Sequence, residues 1–281
     1  MLAEGPPSSD SRGFETPSSL VSPQWLADRL ADDDMTILDV TQDLDRATNT
    51  VTPDLSAFAA ARIPGARFLD VPNNLSRRGL ESARGVELHN MCPSEVQFAQ
   101  ELSKLGLNDA SHVVLYSSRH VMWATRVWWL LHCFGFRGRV AVLDGGLEAW
   151  RAQGLPTESG TALPPQLKPL PGADGGATAR PSLPIRQCRD GAIVDKAGVL
   201  AAINDPSVTV VDSLKPAGFS GAKTSRYGRR GHISSAINLP YTTVVDGSSG
   251  CFYGREQIRE AFEAVGWRAT NAAGGGTMLA Y

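Results

Sequence analysis

The chain has 281 residues, enough for two ordinary domains, and its 42% hydrophobic and 20% charged residues are typical of a globular protein. A formal net charge of -2 gives no electrostatic reason to expect nucleic acid or an acidic membrane as partner, and the arginine pairs at 77–78 and 229–230 are too short to be basic tracts. No apolar run approaches the roughly 18–20 residues of a membrane span, and four widely spaced cysteines without a CxxC pair argue against a zinc site and a disulfide scaffold.

Residues 1–19, MLAEGPPSSDSRGFETPSS, are polar and rich in Ser, Pro and Gly. They lack the basic start and apolar stretch of a signal peptide and read as a disordered leader; cytoplasmic residence with reduced thiols is the expectation. Ser22 is a good helix N-cap and Pro23 favours the first helical position, so a helix is predicted there, with Trp25, Leu26 and Leu30 at helical spacing. A β-branched strand, Thr36–Val40, follows and carries Asp39 near its end. CPSEVQFAQELSKLGL (92–107) reads as an amphipathic helix. Strand Val113–Tyr116 then precedes helix Val121–Phe134, and strand Val140–Leu143 precedes helix Leu147–Gln153. This alternation predicts a mainly parallel sheet covered on both faces, with ligands at the carboxyl ends of its strands. Residues 158–190 are dense in Pro, Gly and Ala without an apolar period and read as a linker.

Beyond the linker the pattern repeats. DKAGVLAAINDPSVTVVDS, from Asp195, aligns with SPQWLADRLADDDMTILDV, from Ser22, at one constant offset, with Asp195 as N-cap and a strand Val208–Val211 running into Asp212. GHISSAINLPY (231–241) resembles ARIPGARFLDV (61–71), YGREQIREAFEAVGW (253–267) resembles the helix of 92–107, and TMLAY (277–281) resembles HVVLYSS (112–118), with Tyr281 opposite Tyr116. Similar elements in one order imply two copies of one α/β domain, since a helical solenoid needs a much shorter repeat.

ARIPGARFLD, GHISSAINLPY, VLDGG with LEAWRAQGLP (142–156), RVWWLLHCFGF (126–136) and VVDGSSGCFYGREQIREAFEAVG (244–266) resemble motifs of the two-domain rhodanese family, in the family's order. The resemblance implies an α/β fold of tandem rhodanese-like domains, each a mainly parallel sheet with helices on both faces. It divides the chain into the leader 1–19, a non-catalytic domain 20–157, the linker 158–190 and a second domain 191–281. It also implies the activity: a cysteine after the fourth strand of the second domain takes sulfane sulfur from thiosulfate or 3-mercaptopyruvate, becomes a persulfide and passes the sulfur to a thiol or cyanide. A loop between strand tip and helix start suits this, because inward N–H groups and the helix dipole lower the thiol pKa. In the family Cys-Gly-x-Gly follows that strand, so the nucleophile is expected directly after Tyr281. The second domain is thus expected to be truncated before its active-site loop, incomplete and marginal, and the 281-residue chain inactive. No cofactor or metal is implied, and the partners are a small anionic sulfur donor and its acceptor, with no nucleic acid and no membrane.

Other residues are weighed against that nucleophile. Ser117, Ser118, Arg119 and His120 occupy the equivalent loop of the first copy; a Ser117–His120 pair lacks an orienting acid, so the loop resembles the family's inactive one. Cys133 reads as a packed core thiol, Cys92 as structural at a helix start, Cys188 as a linker residue and Cys251 as exposed in a turn. His89, in VELHNMCPSE, resembles a family position near the inter-domain cleft and is a candidate donor contact, with a satisfied loop histidine as the other reading, while His232 reads as a structural residue of the GHI motif. The family's donor-binding arginines are replaced by Leu214 and Gly218, which leaves Lys223, Arg226, Arg229 and Arg230 as candidates to bind the donor's anionic group. Asp212 is a candidate to orient that loop. A non-catalytic binding or regulatory module and, more distantly, a phosphatase are the alternatives.

Overall fold

The computed structural model describes residues 8–9, 15–16, 19–45, 50–82, 85–160, 183–223, 229–267 and 277–281. They divide into two compact units, the first built mainly from Glu15–Asp190 and the second mainly from Gly191–Tyr281. Most of the expected leader, most of the expected linker and the candidate Arg226 lie outside the described residues.

The first unit opens on β1 (Leu20–Val21) and α1 (Pro23–Ala27), and Ser22 caps α1 by accepting the Trp25 N–H at 3.1 Å. The chain then forms β2 (Met35–Asp39), a hairpin of β3 (Gln42–Asp45) and β4 (Thr50–Pro53), α2 (Leu55–Ala60), β5 (Arg67–Phe68) and α3 (Val71–Asn74). It continues through α4 (Glu95–Lys104), β6 (His112–Tyr116), α5 (Met122–Cys133), β7 (Arg139–Leu143) and α6 (Gly146–Ala152). Five strands pair in the order β1-β7-β6-β2-β5, all parallel. Parallel strands need crossovers, and the helices that make them cover both faces.

Side-chain alternation along β6 shows why this sheet is buried twice over. Val113 and Leu115 enter one core with Phe98, Leu102, Val127 and Leu131 from α4 and α5. Val114 and Tyr116 enter the other with Leu26, Phe58, Leu147 and Trp150 from α1, α2 and α6. The period of two thus sends successive residues into separate apolar layers, each contributing about 25 cal/mol per Å² removed from water. The hairpin of β3 and β4, together with α2 and α3, has no counterpart among the sequence-based expectations. Its residues are polar and short in period, and Asp54 and Asp70 set the two helix starts by accepting N–H groups at 2.9 and 3.0 Å.

The second unit contains α7 (Lys196–Ala202), β8 (Val208–Asp212), α8 (Pro216–Phe219), β9 (Ile237–Asn238), a 3-10 turn at Tyr241–Thr243, α9 (Arg255–Ala264) and β10 (Thr277–Ala280). Asp195 caps α7 through the Gly198 N–H at 2.9 Å. The strands pair in the order β9-β8-β10, again all parallel. Among the described residues the buried apolar cluster here is small: Ala202, Val210 and Ala236, with Val208, Phe219, Ile233 and Leu279 packed against it. Among the described residues no helix is long and apolar enough to cross a membrane.

Asp246 closes the turn before α9. Its Oδ1 accepts the Ser248 and Ser249 N–H groups, each at 2.8 Å, and the Ser248 hydroxyl. The Ser248 hydroxyl, followed by the two backbone donors, holds this carboxyl down to about 2. A depressed folded-state pKa contributes stability above the ordinary value and loses it as pH falls through the folded one. Asp246→Ala is therefore expected to flatten the acid limb of the second unit's unfolding profile between about pH 4 and pH 2. Circular dichroism melts across that range check it; an unchanged limb counts against the turn.

Candidate active site

At the carboxyl end of the first sheet, Asp39 of β2 lies in register with Tyr116 of β6. Asp39 Oδ1 accepts the Thr41 N–H at 2.8 Å and the Thr41 hydroxyl, and Thr41 Oγ1 in turn accepts the Ser118 N–H at 2.9 Å. The Tyr116 hydroxyl accepts the Ile63 N–H at 3.2 Å. Burial pushes the Asp39 carboxyl up against the opposing pull of its Thr41 hydrogen bonds, and pushes the Tyr116 phenol well above its usual range. These groups hold the strand ends together through their hydrogen bonds.

The loop from β6 to α5 is occupied by its own side chains. The Ser117 hydroxyl donates to the His120 carbonyl at 2.7 Å, so it is directed at the backbone and not at the imidazole. Arg119 adopts a left-handed backbone, φ 66°; its N–H donates to Glu148 Oε1 at 3.1 Å and its guanidinium pairs with Asp54. A carboxylate from α6 thus sits on an amide of this loop. The tip of the first sheet carries hydroxyls but no thiol.

The tip of the second sheet repeats this arrangement. Asp212 Oδ1 accepts the Leu214 N–H at 2.7 Å, as Asp39 does from Thr41. The Asp212 carbonyl accepts the Leu239 N–H at 2.9 Å, as that of Asp39 does from Leu69. The Tyr281 hydroxyl accepts the Ile233 N–H at 2.8 Å, as that of Tyr116 does from Ile63. Strand β10 runs beside β8 with Val208 opposite Thr277 and Val211 opposite Ala280, and Tyr281 hydrogen-bonds across it to Val211 and Ser213. Among the described residues β10 is one of the two outer strands of this sheet, with β8 between it and β9. Asp212 is fully buried, and its Oδ2 has no hydrogen-bond donor in bonding geometry. The carboxylate lies against the Tyr281 phenol, whose pKa is raised first by burial and further by this neighbour.

The described ends of the basic segment between α8 and β9 meet at one neck. His232 Nδ1 is 2.8 Å from the Phe219 carbonyl, and its ring stacks on Phe219 with centroids 3.6 Å apart. Gly221, φ 77°, approaches so closely that a Cβ there would stand 3.1 Å from the Gly231 nitrogen. Ile233, two residues beyond that neck, is the one held by Tyr281. Lys223, Arg229 and Arg230 are exposed beside this neck. His89 belongs to the first unit; its Nε2 is 3.8 Å from Glu87 Oε2. The half-buried Arg126 of α5 supports that segment by donating to the Asn90 carbonyl at 2.5 Å and the Met91 carbonyl at 3.4 Å.

None of the four cysteines stands at a strand tip. Cys133 is buried at the end of α5, Cys92 and Cys188 are half-buried against the same core, and Cys251 lies in the turn closed by Asp246. Burial pushes Cys133 up to about 12 and raises Cys92 and Cys188. A nucleophilic thiol needs the opposite shift. Among the described residues no group of three His, Cys, Asp or Glu is placed to hold a metal ion.

Residues 22–153 match the family model of the rhodanese-like domain. A probable 3-mercaptopyruvate sulfurtransferase of Pseudomonas aeruginosa is 31% identical over 250 residues, covering 88% of this chain and 79% of its own. The chain belongs to the two-domain rhodanese family. The human 3-mercaptopyruvate sulfurtransferase is 30% identical over 253 residues, 87% of this chain and 76% of that protein. The crystal structure of SseA from Escherichia coli, described as the rhodanese fold of 3-mercaptopyruvate sulfotransferases, matches with a TM-score of 0.71 at 24% identity, over 94% of this chain and 97% of that one. The rhodanese resemblance of the separate motifs therefore extends over both units, in agreement with the α/β tandem fold expected from them.

Within this rhodanese frame some of the groups that shape the strand tips escape a reading of motifs. Thr41, Asp54 and Glu148 lie in different elements from the loop they hold, and each is an ordinary polar residue in its local stretch. Arg126 opens the RVWW motif, but nothing near it in sequence reveals that its guanidinium reaches back to residues 90 and 91.

Proposed function

We propose that the chain is the scaffold of a sulfurtransferase that moves sulfane sulfur from 3-mercaptopyruvate or thiosulfate to a thiol or cyanide, through a persulfide on a cysteine directly following Tyr281. The observation that supports this most is the tip of β10: a parallel strand beside Asp212, with Tyr281 held by Ile233 in the manner of Tyr116 by Ile63. A loop starting there turns backbone N–H groups and the positive end of a helix toward one point, where a thiolate and an anionic donor are both stabilised. With 3-mercaptopyruvate, the thiolate attacks the donor sulfur. A protein S–S bond forms as the donor C–S bond breaks, and pyruvate leaves after taking a proton. An acceptor thiolate then removes the outer sulfur and regenerates the protein thiolate.

In this reading Lys223, Arg226, Arg229 and Arg230 bind the donor's carboxylate or sulfonate, Asp212 orients the strand tip, and His89 is a further donor contact. Residues 20–157 form the non-catalytic domain, 158–190 the linker and 191–281 the part of the second domain that precedes its loop. In this reading none of Cys92, Cys133, Cys188 and Cys251 supplies the nucleophile. The burial-raised thiols of Cys92, Cys133 and Cys188 also favour a second reading, a non-catalytic rhodanese-like binding module. That reading requires a stable 281-residue chain with a defined partner, and rapid proteolysis of 191–281 counts against it.

The test compares two proteins. One is the 281-residue chain; the other continues after Tyr281 with Cys-Gly and the remainder of the Pseudomonas aeruginosa relative's second domain. The first is expected to yield neither sulfide from 3-mercaptopyruvate nor thiocyanate from thiosulfate and cyanide, and the second to yield at least one. Turnover by the first overturns the placement of the nucleophile. A folded second protein that forms no persulfide overturns sulfur transfer.

A further inference from the structure

Cys92 and Cys188 lie far apart in sequence, yet both pack on one core of the first unit, and Cys133 is buried at the end of α5, a helix that lines the same core. The segment Leu183–Asp190 brings Cys188 there through three anchors. The Leu183 N–H donates to Ser103 Oγ at 2.8 Å, Arg186 pairs through both guanidinium nitrogens with Asp109, and the Arg189 N–H donates to the Cys133 carbonyl at 2.8 Å. The last bond matters most. It links the residue after Cys188 to the carbonyl of Cys133, so one hydrogen bond with two covalent bonds on either side of it separates the two Cα atoms. That reach is compatible with the roughly 4.4–6.8 Å a disulfide spans.

We propose that Cys133 and Cys188 are a redox modification site, a dithiol that closes to a disulfide on reaction with a low-molecular-weight disulfide. The site is independent of sulfur transfer, since it involves neither strand tip. Cys188 is the more accessible thiol and reacts first. Its thiolate attacks one sulfur of the small disulfide, giving a mixed disulfide and expelling one small thiol. Cys133 then loses its proton and attacks the Cys188 sulfur, forming the protein S–S bond and expelling the second small thiol. Two protein S–H bonds are lost, one S–S bond is gained, and the small disulfide is reduced to two thiols.

The environment favours this product. Thiols held protonated by burial stabilise the thiolate form least, which lowers the reduction potential of the disulfide they form. The same protonation slows the first attack, so closure is slow and persistent. Cys92 shares the core but belongs to the segment before α4, supported by Arg126 through its neighbours Asn90 and Met91. Once closed, the bond fixes the end of the 183–190 segment to the end of α5.

The fully reduced 281-residue chain is equilibrated with oxidised and reduced glutathione in rising ratio, the remaining thiols are alkylated, and the tryptic peptides are read by mass spectrometry. Cys133 and Cys188 are expected to disappear together from the alkylated set and to reappear as one cross-linked peptide. The oxidised chain is expected to melt several degrees higher than the reduced one. Cys92→Ser leaves the cross-link in place. Cys133→Ser abolishes it and leaves Cys188 as a glutathione adduct, and Cys188→Ser, at a less buried position, removes both products. Cross-linking in urea is expected to lose this pairing. A native cross-link through Cys92, a glutathione adduct on Cys188 of the intact chain that never resolves, or four alkylated thiols at the most oxidising ratio each overturns the proposal.

Discussion

Gly146→Ala is expected to destabilise the first unit by roughly 3–5 kcal/mol, a loss large enough to leave little folded protein at moderate urea. Gly146 has φ 58°, and a Cβ built on it would stand 2.2 Å from the Ser117 carbonyl oxygen at the tip of β6. The left-handed backbone alone costs an alanine about 1–2 kcal/mol. The remainder comes from the contact, because a backbone carbonyl in the middle of a parallel sheet cannot swing aside as a side chain can. Gly154 separates the two terms: its φ is 68°, but a Cβ there would meet nothing within 4 Å. Gly154→Ala is expected to cost only about 1 kcal/mol. Equal urea midpoints for the two variants, followed by circular dichroism, would show that the close approach at Ser117 does not matter.

Trp150→Ala is expected to cost a similar amount, about 3–5 kcal/mol. Trp150 is fully buried in the core formed by α1, α2 and α6, and its indole N–H donates to the Pro156 carbonyl at 2.8 Å. Truncation removes the largest fully buried side chain of that layer and leaves a carbonyl without its donor. Trp150→Phe keeps most of the apolar volume and loses the hydrogen bond, for about 1–2 kcal/mol. The effect reaches the strand tips, since α6 also carries Glu148, which holds the Arg119 N–H. Urea unfolding at one pH compares the three proteins; a Phe variant as unstable as the Ala variant would place the stabilisation in the hydrogen bond instead of the packing.

Much of this architecture was legible along the chain because its signals are local. Ser22 and Asp195 cap helices where their side chains predict, and TMLAY forms a parallel strand beside Val208–Asp212. Helix boundaries were less legible. Leu30 sits at helical spacing, yet α1 ends at Ala27, and Leu30 still packs on the core from the turn that follows. The apolar period reports which residues go inside, and a turn can deliver a residue there as well as a helix.

At the candidate site the division is sharper. That Tyr116 and Tyr281 occupy equivalent places follows from the repeated order of motifs, and their shared grip on Ile63 and Ile233 agrees with it. The sequence by itself determined the two copies, their alternating strands and helices, and the positions of the strand tips, because caps and hydrophobic periods act between residues a few positions apart. Three contacts came to light in the folded chain alone: Ser117 donates to its own loop, Glu148 holds the Arg119 amide, and the Arg189 N–H beside Cys188 reaches the Cys133 carbonyl. Those contacts join residues brought together by burial of both sheet faces, and burial rewards proximity in space without leaving a pattern in the order of residues.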